Sequence, residues 1–171
     1  MNSAGLLVDA FGRVREAVHE AVEGLGEDVL AARVDPDANS IAWLVWHLTR
    51  VQDDHLAGAF GTEQLWGADG WRERFGLPFP VGATGYGQTS AQAGSVRVPG
   101  ELLLGYQDAV HARTAELVGT VTNADLERVV DTAWDPPVTL GVRLVSVIAD
   151  TLQHAGQAGY VRGVLERRGD A

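Results

Sequence analysis

The chain has 171 residues, 46% of them hydrophobic, and a formal net charge of −10 at pH 7. This length supports one domain that buries roughly 70% of its unfolded surface, and the composition excludes a disordered chain. The acidity argues against a phosphate-backbone binder, which needs a basic patch. The absence of cysteine excludes disulfides, thiolate metal sites and a cysteine nucleophile.

No stretch approaches the ~20 apolar residues that span a bilayer. The N-terminal segment soon carries Asp9, Arg13 and Glu16 and does not read as a secretory leader. A cytoplasmic address is therefore expected, with a small-molecule substrate as partner and neither nucleic acid nor membrane. All 13 basic residues are arginine. With the heavy use of Ala, Gly and Val, this is the bias of a GC-rich genome of actinobacterial type.

In chain order, Leu7, Phe11, Val14, Val18, Val22 and Leu25 recur at three- and four-residue steps and predict an amphipathic helix, with Ser3 as its N-cap. Gly24 to Asn39 is a connection. Asn39-Ser40 caps a second helix running to about Phe60, whose first half is apolar almost all round, as in a helix buried inside a bundle. Asp53-Asp54 within it reads as a solvated pair. From Gly61 to Pro99 glycines break up any long helix, and only Asp69 to Phe75 reads as a short one. Trp66, Trp71, Phe75, Phe79 and Tyr86 should pack this connection down, and loops of such length are often functional. A third helix is expected from Pro99 to Gly119, a short helical piece after Asn123, a turn at Trp134-Asp-Pro-Pro and a last helix from Thr139 to Arg167. Four long helices, no convincing alternating strands and one long Gly/Trp-containing crossover between the second and third predict an all-α four-helix bundle, one domain over 1–171. An apolar helix face left over would pair two copies as a homodimer.

On the last helix Arg143, Asp150, His154 and Gln157 fall within about 60° of one another at 100° per residue. Val147, Thr151, Ala158 and Val161 lie on or beside the same face. A polar row there needs partners, a counter-charge or a metal. Asp150 and His154, four apart, have the spacing at which two helical ligands share one ion. The same spacing also suits a simple exposed ion pair. One more ligand from a facing helix would complete a three-ligand site with open positions. His19 and His111 sit among polar neighbours and look solvated. On the second helix both His47 and His55 lie on or beside the apolar stripe, and periodicity does not choose between them.

The segments SIAWLVWHLTRVQDDHL, LWGADGWRERFGLPF, TGYGQT and DTLQHAGQAGYVRG, in that order, resemble the DinB-like superfamily. That superfamily includes the YfiT-like proteins, the mycothiol-dependent maleylpyruvate isomerases and the bacillithiol transferases. The resemblance implies a DinB-like four-helix bundle that binds a divalent metal, nickel or zinc most often and iron as a further option. It assigns the ligands as His47, Asp150 and His154, with an Asp where many members carry His and the isomerases carry Glu. It also implies a low-molecular-weight thiol as co-substrate, of the mycothiol type in a GC-rich genome, transferred to a small electrophile.

Around that centre Arg143 and Gln157 would orient a polar substrate and Arg162 would pair with a carboxylate. Trp66, Trp71 and Tyr86 would line the mouth of the pocket. For each of these six residues the plain alternative is a solvated helix side chain or loop packing. A metal-dependent hydrolase and a non-catalytic stress or binding protein are the rival functions.

Overall fold

The computed structural model describes residues 1–170; the domain expected over 1–171 extends to residue 171, which lies outside the described residues. Among the described residues four long helices, α1 (Ser3–Val22), α3 (Ile41–Phe60), α7 (Gly100–Gly119) and α8 (Leu140–Arg168), form a bundle. Helices α3 and α7 lie side by side, α8 packs against both α3 and α1, and α7 also packs on α1. The pairs α1/α3 and α7/α8 are thus the diagonals. Short helices α2 (Glu27–Leu30), α4 (Leu65–Ala68), α5 (Trp71–Phe75) and α6 (Ser90–Ala93) decorate the connections.

The helix boundaries follow from capping. Ser40 Oγ accepts the Trp43 N–H at 3.2 Å and Gly61, at φ 69°, ends α3. Thr139 caps α8 through the Val142 N–H, and Pro99 precedes α7. For α1 the cap is Asn2, whose Oδ1 accepts the Gly5 N–H at 2.9 Å. Ser3, the expected cap, sits one residue inside and donates its hydroxyl to Asn123 instead.

Residues 41–50 of α3 are all buried, as its apolar first half requires. Helix α8 buries Leu140, Leu144, Val147, Thr151, Ala155, Ala158, Val161 and Leu165, a three- and four-residue stripe whose fully buried Leu and Val side chains are each worth roughly 1.5–3 kcal/mol. The crossover packs down on the bundle: Trp66 lies 5.2 Å from Phe75 and 5.4 Å from Tyr106, and Trp71 lies 5.5 Å from Tyr106, between ring centroids.

A small antiparallel ribbon, β1 (Val129–Asp131) with β2 (Val138–Thr139), precedes α8 across the Trp134-Asp-Pro-Pro turn. Runs of three and two residues are too short to show the alternation that marks a strand. Among the described residues, no helix is long and apolar enough to cross a membrane.

Candidate metal centre

With its apolar stripe turned to the core, α8 carries Asp150 and His154 on the flank that faces α3. His47, 6% exposed, comes from the second turn of α3. One ligand atom from each of the three residues lies within 4.8 Å of the other two. The two imidazoles meet edge to face, with centroids 4.7 Å apart. Trp43, one turn before His47, stacks on it at 4.6 Å and 17° and presents an edge to His154. Its indole N–H donates to Gln88 Oε1 at 2.7 Å, which fixes the platform.

The hydrogen bonds of the two imidazoles set their tautomers. A carbonyl oxygen only accepts, so His47 Nδ1–H donates to Thr84. His154 Nδ1–H donates to Gln157 Oε1 at 2.9 Å. Each ring is therefore left with an Nε2 lone pair, the arrangement of an oriented metal-binding histidine. His154 Nε2 lies 3.7 Å from Asp150 Oδ1, too far for a hydrogen bond. Asp150 Oδ2 is buried with no hydrogen-bond partner among the described residues. An orphaned carboxylate oxygen is costly, and a divalent cation would satisfy it together with both lone pairs. Burial pushes the His47 pKa down and the neighbouring His154 adds to this, outweighing Thr84 and Asp150. That favours the neutral imidazole a metal requires. Two nitrogens and a carboxylate form a set suited to zinc, nickel or iron(II).

The wall behind His47 is the turn at residues 83–85. Gly85 has φ +100°, and a Cβ there would lie 2.7 Å from His47 Nδ1 and 3.1 Å from Trp43. Only glycine gives both that backbone conformation and that approach. The turn is held by Arg50, which is fully buried and donates to the Ala83 carbonyl at 3.1 Å, Gln64 Oε1 at 2.9 Å and the Tyr106 hydroxyl at 3.3 Å.

Asp53, expected to be solvated, is 5% exposed. It lies 3.5 Å from Arg50 and accepts the Leu65 and Trp66 N–H groups, at 2.9 and 2.8 Å, and the Tyr106 hydroxyl at 2.7 Å. Asp54 beside it is half-buried and takes the Gln64 amide.

The residues expected around the metal divide. Tyr86, 94% exposed, borders both cavities that meet at the cluster, of ≈ 380 and ≈ 460 Å³. Gln157 faces His154. Arg143 lies about two turns before Asp150, bound to Asp131 at 2.6 Å and to His55 Nδ1 at 2.9 Å, on a cavity of ≈ 840 Å³. Arg162 turns away to the C-terminus of α1, donating to the Glu20 and Glu23 carbonyls at 2.8 Å each, and pairs with Glu166 on its own helix. Trp66 and Trp71 are buried in the aromatic core; Trp66 also shows to the larger cavity, whereas Trp71 lies beneath Arg74. His19 is not solvated but bonded to Glu23 and Asp108 at 2.8 Å each.

Trp43, Arg50, Thr84 and Gly85 are the site residues to which sequence reasoning gave no role, and His55, weighed there against His47 as a ligand, lies beside the site instead. The i,i+4 spacing of Trp43 and His47 carries a signal; Thr84 and Gly85 fall in the TGYGQT segment, but their contacts with His47 are non-local and spacing does not show them.

Comparison with known proteins bears on the family and the fold. The profile of the family described as mycothiol-S-transferase matches residues 6–167. A crystal structure of a conserved protein from Enterococcus faecalis superposes with a TM-score of 0.88 at 31% identity, over 95% of this chain and 96% of that one. A search of curated proteins finds no match.

Proposed function

We propose that this chain, which belongs to the mycothiol-S-transferase family, transfers a low-molecular-weight thiol of the mycothiol type to a small electrophile, using a divalent cation held by His47, Asp150 and His154. The observation that carries the reading is the unmet chemistry of the cluster: two inward Nε2 lone pairs and the orphaned Asp150 Oδ2, the two lone pairs being on imidazoles whose Nδ1 sides are already fixed. When bound, such a cation supplies stabilisation of a thiolate at neutral pH.

The chain's own residues do the rest. Thr84 and Gln157 hold the two imidazoles in the binding tautomer, and Trp43 shields His47 from water. Asp150 brings a negative charge that offsets the cation. Tyr86, at the mouth, contacts the incoming molecules, and Arg143 lines the larger cavity as a polar wall. Since the chain has no cysteine, the thiol comes from solution. The family and the arginine-only, GC-rich composition together favour mycothiol.

The test is an assay of the metal-loaded protein with an alkylating dye, run with mycothiol, with cysteine and with no thiol. Thioether formation that needs both metal and thiol, is faster with mycothiol and is lost in His47→Ala and His154→Ala is the expected result. Consumption of the dye at the same rate without thiol would replace transfer by hydrolysis.

A further inference from the structure

We propose that His55 is a second functional residue of this site: from Nε2 it donates a hydrogen bond to the oxygen of the electrophile and so selects electrophiles on whose oxygen negative charge develops, while the acidic lining beside it admits uncharged ones. The inference rests on the thiol-transfer reading above and adds the substrate class to it.

The geometry begins on α3, where His47, Val51, Asp54 and His55 lie on one face at helical spacing. All four border the cavity of ≈ 380 Å³ that also reaches Asp150. Asp54 and His55 border as well the cavity of ≈ 840 Å³ that contains Arg143. His55 thus stands between the metal cluster and the larger space beside it. A guanidinium only donates, so the 2.9 Å contact from Arg143 Nη1 leaves His55 Nδ1 as the acceptor. The ring proton is then on Nε2, which has no hydrogen-bond partner among the described residues and is not among the buried, unsatisfied atoms. Asp131 holds Arg143 from behind at 2.6 Å, and both side chains are half-buried.

Burial and the Arg143 charge lower the His55 pKa against the opposing pull of Asp54, Asp150 and Asp131. A neutral imidazole N–H is an established way to polarise a carbonyl. The walls of the larger cavity then decide the charge of the ligand. Arg143 and Asp131 are paired with each other, which leaves Asp54 and Glu63 as the net acidic charge of the lining. A carboxylate-bearing electrophile would meet net repulsion, and an uncharged enone or related carbonyl compound would not.

For an enone the step balances without further reagents. The thiolate sulfur forms a bond to the β-carbon, and the carbon–carbon π pair moves to place charge on the carbonyl oxygen, which accepts the His55 hydrogen bond. A proton from water then reaches the α-carbon to give the thioether ketone. The thiol's own proton leaves to solvent when the thiolate forms.

The experiment compares the metal-loaded protein with its His55→Leu, His55→Gln and Arg143→Met variants. Two uncharged electrophiles of similar size are used with mycothiol: a vinyl ketone, and an alkyl iodide whose leaving group is iodide and needs no oxyanion. Removing an oxyanion donor costs roughly 100-fold, so His55→Leu should lower the ketone-to-iodide rate ratio by about that factor. His55→Gln, which keeps an N–H, should recover part of it, and metal content and thiol affinity should match the parent. In the metal-free protein, ¹⁵N NMR should find the His55 proton on Nε2, and Arg143→Met should weaken that preference and lower the ratio, even if His55→Leu fails to fold. Parent protein that transfers thiol, with an unchanged ratio in His55→Leu, or in Arg143→Met where His55→Leu fails to fold, would overturn this inference alone. A parent that transfers thiol to neither electrophile would overturn thiol transfer, and this inference with it.

Discussion

Two polar clusters share α3, one turn apart, and they are built on opposite terms. Around Arg50 and Asp53 every group finds a partner inside the protein. Arg50 donates from Nε, Nη1 and Nη2, and Asp53 accepts two backbone N–H groups and a tyrosine hydroxyl. Around His47 the outward sides of the rings are satisfied, while Nε2 of both histidines and one Asp150 oxygen are not. The first arrangement ties the crossover to the bundle: Asp53 starts α4 and Arg50 holds the turn at 83–85. The second is preorganised toward something that the chain does not itself contain. In these two clusters the ion pair that serves folding is closed, and the imidazoles kept for a ligand are fixed at the back and open at the front.

The largest effect should come from breaking the closed cluster. Asp53→Ala leaves a fully buried guanidinium without its carboxylate and two α4 N–H groups uncapped, so urea unfolding should show a loss of about 3–5 kcal/mol. His154→Ala in the metal-free protein should cost far less, because no partner loses more than one exposed hydrogen bond. Equal losses would mean that the His47 cluster is as tightly built into the fold as the Arg50–Asp53 pair.

Gly85→Ala touches the seam between the clusters. A side chain at φ +100° and 2.7 Å from His47 Nδ1 should cost about 1–3 kcal/mol and weaken metal binding by roughly 10–100-fold, read by competition with a chelating dye. Gln157→Leu removes only the hold on His154. It should weaken metal binding by about 10-fold with an unchanged unfolding curve.

The smallest effect lies away from both clusters. Burial would lower the His19 pKa, but its hydrogen bonds to Glu23 and Asp108 outweigh this and raise it. Stabilisation from a raised histidine pKa is complete below the unfolded value and disappears as pH rises through the folded one. The parent's stability advantage over His19→Gln should therefore be greater at about pH 5.5 than at about pH 8.5.

What could be read from the sequence was what is local. Caps such as Ser40 and Thr139, and the three- and four-residue steps of Leu144, Val147, Thr151 and Ala155, define the long helices. The i,i+4 relation brings Asp150 and His154 together. His47 and His55 could not be separated by periodicity because both face α8; what separates them is what lies opposite, Asp150 and His154 for one and Arg143 for the other. Asp53 reads as solvated beside Asp54 because the amides that bury it lie 12 and 13 residues further on. Arg162 belongs to the α8 surface in sequence, yet its partners are carbonyls at the end of α1, 139 and 142 residues earlier. The β1–β2 ribbon is too short to announce itself.

Whether His47, Asp150 and His154 hold one divalent cation is decided by elemental analysis of the untagged protein beside its His47→Ala, Asp150→Ala and His154→Ala variants, before and after loading with zinc or nickel. The expected result is about one equivalent of metal in the parent, one cation being all that this three-residue set can hold, and loss of that metal in each variant while the helical circular dichroism persists. A parent that takes up no metal after loading, or variants that keep the parent's full content, would contradict the account.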